Sequence, residues 1–559
     1  MKATGTLCRV AAAMCLGGLA ASPGFAQSSS LDDAKKDPIL RAMIEELERS
    51  KNKLQFDDWP RPFFIQYRLD DVESFDAEAN YGALTAEHTE HRRVVRVTVR
   101  VGDYKMDSSA VRGERGDGSL QIAAVEDDPV ALRSALWSAT DTAYKAAFRD
   151  YTQKSVMLKS FQTAPEAEDF SHEKPVISLN PVLKLDLDRE AWKTRIAETS
   201  GLYRTDPEAR KFEQITEYSS SSLRARIVNR YLVNTEGTVT RGGFAAYQAG
   251  AAVGTQAPDG MHLDRSYSTT GTTEAQLDSA DSFRRHMVSL LLSLRELRNA
   301  PQVTEEYHGP VLFSSDAADD LVYTIFAGAV SGNRPDPGTT TRTAGVYASS
   351  FRARVLPEFL NVVDDPTLKT FAGKGLVGAY EVDDEGVPAQ AVKVVERGKL
   401  QNYLVGRQPI RNFPASNGHG RATMAGTPAP HFSVLKVEAD RKQTREELEK
   451  KLIAMGKERD LEWVYEAETL GPDLTPRLLY RIHVADGHRE LVRGAVFDEL
   501  DPRSLRSEIS AVGDDDLVTN YTGEIPSTII ASSILFDEIA VKAASEKSDK
   551  LPYYPPPAE

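Results

Sequence analysis

Leu356-Pro357-Glu358-Phe359-Leu360-Asn361-Val362-Val363-Asp364-Asp365-Pro366-Thr367 is followed shortly by Gly378-Ala379-Tyr380-Glu381-Val382-Asp383-Asp384-Glu385-Gly386. Clustered carboxylates of this kind bind calcium or supply general acid and base groups. Asp383, Asp384 and Glu385 are therefore candidate ligand-binding residues. Their spacing fits no EF-hand loop, and an acidic turn is the plainer reading in a chain this negative. Further along lies Ser416-Asn417-Gly418-His419-Gly420-Arg421, two glycines around a histidine with an arginine behind. Such a loop lets backbone approach something closely, which makes Asn417, His419 and Arg421 candidates for ligand or peptide contact. The competing reading is a tight turn in which the histidine caps local carbonyls.

Around these segments the chain is large and acidic. It has 559 residues, 41% hydrophobic and 27% charged, with 68 Lys and Arg against 83 Asp and Glu. At roughly 100–200 residues per domain this predicts about two to four domains. A net charge of −15 argues against a nucleic-acid binder, which needs a basic stripe, and against electrostatic docking to anionic lipid. Lys2 and Arg9 are the only charges before Asp32, Val10 to Ala21 is a short apolar run, and Gly24-Phe25-Ala26 places small residues at a cleavage position. The pattern predicts export, with a signal peptide at residues 1–26, to the periplasm or beyond. A lipid anchor on Cys15 is the alternative, against which Met14 is a poor preceding residue. Cys8 and Cys15 both fall inside that segment, so the mature chain would contain no thiol for disulfide, nucleophile or metal.

Asp37-Pro38 and Asp128-Pro129 each open a helix with an N-capping carboxylate and a proline in the first turn. Phe63 to Leu69 reads as a strand. Val95, Val97, Val99 and Val101 alternate with Arg96, Thr98 and Arg100 as a half-buried strand. A hairpin is expected over Leu223 to Ala249, turning at Asn234–Gly237, with a helix over Asp278 to Arg298. A second hairpin turns at Asp486-Gly487, between Tyr480–Val484 and Leu491–Val496. Strands and helices mix without regular alternation, which predicts α+β. The expected divisions are residues 27–305, 306–545 and a Pro-rich tail over 546–559. No later run is long and apolar enough for a membrane span.

Nucleophile-elbow, phosphate-loop and dinucleotide signatures are missing, as is H-E-x-x-H. Glu87-His88-Thr89-Glu90-His91 is the densest metal-like cluster, but it leads into the valine strand as a solvated loop, where His88 and His91 point to opposite faces. His483 and Glu490 are expected to meet as a surface pair across the Asp486-Gly487 turn.

The two opening segments resemble the carboxy-terminal domain of the TldD/PmbA family. The Ser416–Arg421 loop, Glu490-Leu491-Val492-Arg493-Gly494 and Ile525-Pro526-Ser527 extend the likeness. The resemblance runs over about residues 35 to 555. It implies a two-part α+β fold, with long helices and mixed sheets first and a β-rich second half. It also implies homodimers or TldD–PmbA heterodimers that cleave unfolded peptides in an enclosed cavity. The catalytic subunit of the family carries zinc on a helical H-E-x-x-x-H completed by a cysteine. Aligned on Ser315 to Val330, the six motif positions here read Tyr323, Thr324, Ile325, Phe326, Ala327 and Gly328. No ligand stands there, so no catalytic residue and no metal carries over. PmbA-type subunits also lack the motif.

The expected function is that of an exported, metal-free relative that binds extended peptide or pairs with a metal-bearing partner. Peptide would add as a strand to an open sheet edge, and Tyr380, Tyr403 and Phe413 would line the groove or fill the core. One alternative is an active peptidase using His419, His431, His483 and the Asp383–Glu385 cluster. Another is a structural envelope protein.

Overall fold

The computed structural model describes residues 30–109, 118–159, 167–336, 339–498, 500–544 and 550. The expected signal peptide and the Pro552–Pro557 strap lie outside the described residues. Asp37 and Asp128 cap their helices as expected: each side chain accepts from two backbone amides, opening Pro38–Lys53 and Pro129–Leu158. The first half is one large sheet. Its strands are β1 (Phe64–Asn80), β2 (Ala83–Arg100), β3 (Ser119–Ala123), β4 (Ile177–Leu179), β5 (Tyr218–Asn234), β6 (Val239–Gln256) and β7 (His262–Gly271). They run in the order β3-β2-β1-β5-β6-β4, with β7 on the far part of β6. β1 and β2 are much longer than the sequence suggested, and the Glu87–His91 segment is strand rather than loop.

Side chains alternate across a strand, and here the alternation sorts the whole sheet. Odd-numbered residues such as Tyr67, Phe75, Val97, Leu223, Val233 and Tyr247 are buried in two clusters beneath helices. Pro38–Lys53 and Pro129–Leu158 cover one end, Arg189–Ser200 and Ala280–Asn299 the other. Even-numbered residues are mostly polar: Arg68, Asp70, Ser74 and Asp76 on β1, Arg92 and Arg96 on β2, Arg224, Arg226 and Arg230 on β5, with Val72, Val228 and Leu232 among them. This face was expected to meet water, yet Arg68 is 2% and Arg96 8% exposed, because the second half docks on it.

The second half has two further large sheets sharing one core, with two small two-stranded ribbons beside them. Six strands run in the order Lys399–Leu400, Val392–Glu396, Leu360–Asp364, Val434–Ala439, Ser527–Ala531, Leu517–Tyr521. The other sheet is centred on Tyr307–Phe313, between Trp463–Leu470 and Ile534–Ala543. The fold is α+β, with a strand-rich second half, as read from the sequence. The expected strand Leu491–Val496 is split. Arg489–Val492 pairs with Pro476–His483, whereas Ala495–Asp498 pairs with Ile534–Ala543. Between them the Arg493 amide donates to the Pro301 carbonyl and its own carbonyl accepts from Val303, which pulls the chain out of line. Among the described residues no helix is long and apolar enough to cross a membrane.

Candidate functional site

The acidic segment and the histidine loop fold onto one another, away from solvent. Asp384 Oδ2 accepts from Arg421 Nε at 3.1 Å and from the Ala422 amide at 2.7 Å, while Arg230 pairs with Oδ1. Arg230 also donates to both oxygens of Asp70, at 2.6 and 3.0 Å. Burial would raise the Asp384 carboxyl, but Arg230, Arg421 and Arg68 outweigh it and hold it far below the usual carboxylate range. Asp383 accepts from the amides of Glu385, Val387 and Gly420. Burial, with Glu385 beside it, pushes Asp383 well up, and burial raises Glu385 as well.

His419 is fully buried. Its Nε2 meets Asp364 Oδ1 at 3.1 Å and its Nδ1 the Asn417 carbonyl at 3.0 Å. Asn417 accepts from the Val405 amide and donates to the Tyr403 carbonyl. The expected ligand residues Asn417, His419, Arg421, Asp383, Asp384 and Glu385 thus bond to neighbouring protein groups, while the buried Arg421 Nη1 has no hydrogen-bond partner. A buried polar group costs stability unless it is hydrogen-bonded, and these pairs meet most of that cost.

The other sequence candidates are scattered. His431 is depressed by burial and its Nδ1 contacts the Phe432 carbonyl at 2.6 Å. His483 meets Asp486 Oδ1 at 2.8 Å, and Glu490 accepts from Arg481 instead. The strand register places Arg481 opposite Glu490, so the expected His483–Glu490 pair does not form. His91 bonds to Asp71 on one face and His88 lies on the other. Tyr380 and Tyr403 donate to the Gly418 and Tyr347 carbonyls, and Phe413 packs edge-on against Tyr403. Tyr403 is core, Phe413 packs half-buried against it, and Tyr380 is half-buried against the Gly418 loop.

The helix expected to correspond to the zinc helix begins as α-helix over Ser315–Leu321, widens to a π turn over Val322–Ala327, and ends as a short 3-10 turn over Gly328–Val330. A π turn closes residue i onto i+5; this one ends at Ala327, and the Gly328 amide turns to the Phe326 carbonyl. The side chains at the aligned positions are no ligand set. Tyr323 stacks on Tyr521, centroids 4.1 Å apart, and lies edge-on to Phe432. At Gly328 a side chain would meet nothing within 4 Å. Phenol, hydroxyl and hydrogen supply no zinc donor set. Among the described residues, no three His, Cys, Asp or Glu side chains converge as a metal site.

The same helix carries carboxylates that sequence reading passed over. Asp319 is 1% exposed and accepts from the Thr519 hydroxyl. Burial raises it well above the usual range, and burial with Asp316 nearby raises Asp320 to about 7. Between the unfolded value near 4 and pH 7, the folded chain therefore holds protons the unfolded chain has lost. Stability must fall as pH rises through that window. Asp320→Asn is expected to flatten this decline and raise the melting temperature at pH 8 relative to pH 5. A melting series at both pH values checks it, and an unchanged slope would refute the assignment.

A groove of about 740 Å³, with no residue of this helix in its lining, lies between the even face of the first sheet and the second half. Its floor includes Asp76, His88, Arg224, Arg226 and Phe244, and Met424 and Thr522–Glu524 form its roof. Arg68 clamps one side by donating to the carbonyls of Thr423, Met424 and Gly426 at 2.9 to 3.0 Å. On the other side, Arg226 donates to the Thr522 and Gly523 carbonyls, and the Thr522 hydroxyl donates to Gln248. Sequence reading missed this floor. Its signal was the period-two placement of Arg224 and Arg226 between Leu223, Ala225 and Ile227.

Residues 304–543 match the PmbA/TldA metallopeptidase C-terminal domain. A metalloprotease of Methanocaldococcus jannaschii is 28% identical over 110 residues, 20% of this chain and 23% of that protein. A metalloprotease TldD homolog of Buchnera aphidicola is 22% identical across 58% of this chain and 62% of its own length. The chain thus spans less than two thirds of the curated relatives it matches. Among solved structures, TldE from Thermococcus kodakarensis superposes with a TM-score of 0.58 at 14% identity, covering 90% of this chain and all of that one. A candidate modulator of a DNA gyrase from Thermotoga maritima gives 0.56 at 14% identity, covering 90% of this chain and 99% of its own. At such identities the likeness is one of fold.

Proposed function

Because the chain belongs to the TldD/PmbA family, through its carboxy-terminal domain and its fold, we propose that it is an exported, non-catalytic member that binds extended peptide. It acts as a homodimer or beside a metal-bearing relative. The carrying observation is that the positions expected to hold the motif are Tyr323, Thr324 and Gly328, on a helix where Tyr323 stacks on Tyr521 instead of facing a metal. A ligand set lost from an otherwise retained helix speaks for binding kept and hydrolysis given up. The groove floored by Arg224 and Arg226 is the proposed peptide seat, since its size suits a short extended segment.

The test is elemental analysis of the purified mature protein, run with a peptidase assay with and without chelator and a solution-mass measurement. The expected result is no stoichiometric zinc, no chelator-sensitive hydrolysis and a mass above that of one chain. Stoichiometric zinc with chelator-sensitive cleavage would overturn the reading.

A further inference from the structure

The groove floor has a charge arrangement of its own. Across the strands, Asp76 faces His88 on β2 and Arg224 on β5, and Arg224 faces Gln248 on β6. The next row is Glu90, Ser74, Arg226 and Ala246. Arg224 and Arg226 are two residues apart on one strand, so their side chains leave the same face side by side. Several other arginines around this docking face have a carboxylate: Arg68 has Asp70, Arg92 has Glu90, Arg230 has Asp70 and Asp384, Arg407 has Glu236. Arg224 and Arg226 make no ion pair among the described residues. Arg226 is half-buried, lies 5.3 Å from the centre of the Phe244 ring, and donates only to two backbone carbonyls. Desolvation lowers its basicity, which Asp76 and Glu524 offset only in part.

A partly desolvated guanidinium without a counter-ion is costly in an isolated chain and favourable once an anion arrives. Two guanidinium forks on one face suit a planar carboxylate, which accepts from both with short charge-assisted bonds. Asp76 and Glu524 stand close by, so a singly charged anion fits better than a doubly charged one.

We propose that this groove reads the carboxylate of an extended peptide, held between Arg224 and Arg226 on the sheet floor with the preceding residue against Phe244. The inference rests on the peptide-binding reading above and narrows it to peptides that present an anionic end. A free carboxy terminus and an acidic side chain share this chemistry, and the experiment separates them.

The mature full-length protein is titrated with a labelled eight-residue peptide in three forms: free acid, carboxy-terminal amide, and amide carrying a final glutamate. The expected result is that amidation weakens binding about tenfold to a hundredfold. Arg224→Gln should lose as much for the free acid and show no further loss on amidation. Its thermal melt should be unchanged, because Arg224 makes no hydrogen bond or ion pair among the described residues. Recovery with the glutamate amide assigns the site to acidic side chains as well as termini, and no recovery assigns it to termini alone. Equal affinity for free acid and amide overturns the inference while leaving peptide binding in place. Failure of all three peptides to bind overturns both.

Discussion

Asp384→Ala is expected to destabilise the protein by about 3–5 kcal/mol, because removing one partner of a buried ion cluster leaves the others uncompensated. Arg230 and Arg421 would lose the carboxylate that joins them, and Arg230 would keep Asp70 as its one carboxylate, with the Ala422 carbonyl. The Ala422 amide would lose its acceptor as well. Asp384→Asn keeps the shape and most of the hydrogen-bonding capacity, so it isolates the charge. Urea unfolding midpoints of the three proteins check the expectation, with alanine lowest and asparagine between. A loss under about 1 kcal/mol for alanine would mean that the cluster is not a determinant of folding. Because Asp384 is held below its unfolded value, its contribution is complete above about pH 4 and is lost only as acid reaches the folded value. This is opposite in sign to Asp319 and Asp320. The two groups together confine maximal stability to mildly acidic solution.

Gly418→Ala has the second large effect. Gly418 has φ +75°, and a Cβ there would sit 2.3 Å from the Pro388 carbonyl oxygen and 3.0 Å from its carbon. The left-handed backbone costs a non-glycine residue about 1–2 kcal/mol, and overpacking against backbone adds roughly 1–3 kcal/mol. The sum is about 2–5 kcal/mol. Gly487 provides an internal control, since its φ is also +75° but nothing lies within 4 Å. Gly487→Ala should therefore cost only the backbone part, about 1–2 kcal/mol. Equal losses in the two variants, read from urea unfolding, would show that the Pro388 contact is not the cause.

Both variants sit in segments that the sequence marked as unusual, for reasons the structure revises. Gly418-His419-Gly420 was legible as a place of close approach, and it is one, but what approaches is the protein itself. Asp364 and Arg230, the partners of His419 and Asp384, lie far away along the chain. Spacing within a segment carries no information about such pairs. The capped helices at Pro38 and Pro129 were legible because a cap is local: donor and acceptor are two or three residues apart. The valine alternation of β2 gave its buried face correctly. It could not say that the arginine face would be covered too, since that depends on where the second half docks. The groove floor was hidden for the same reason. Arg224 and Arg226 read as an ordinary solvated face until the Thr522–Glu524 loop is laid across them.

The even face of the first sheet has a consequence for synthesis on the ribosome. The first half of the chain emerges and closes its odd face under its own helices before residues 307–543 exist to cover the other side. A waiting apolar face would invite association with other nascent chains. The waiting face here is dominated by Arg68, Asp70, Asp76, Arg224 and Arg230, which water solvates without help and which separate Val72, Val228 and Leu232. The half-made protein can thus wait largely wetted, and the dehydration of those charges is deferred to the step in which Asp384 and its neighbours arrive to replace the water.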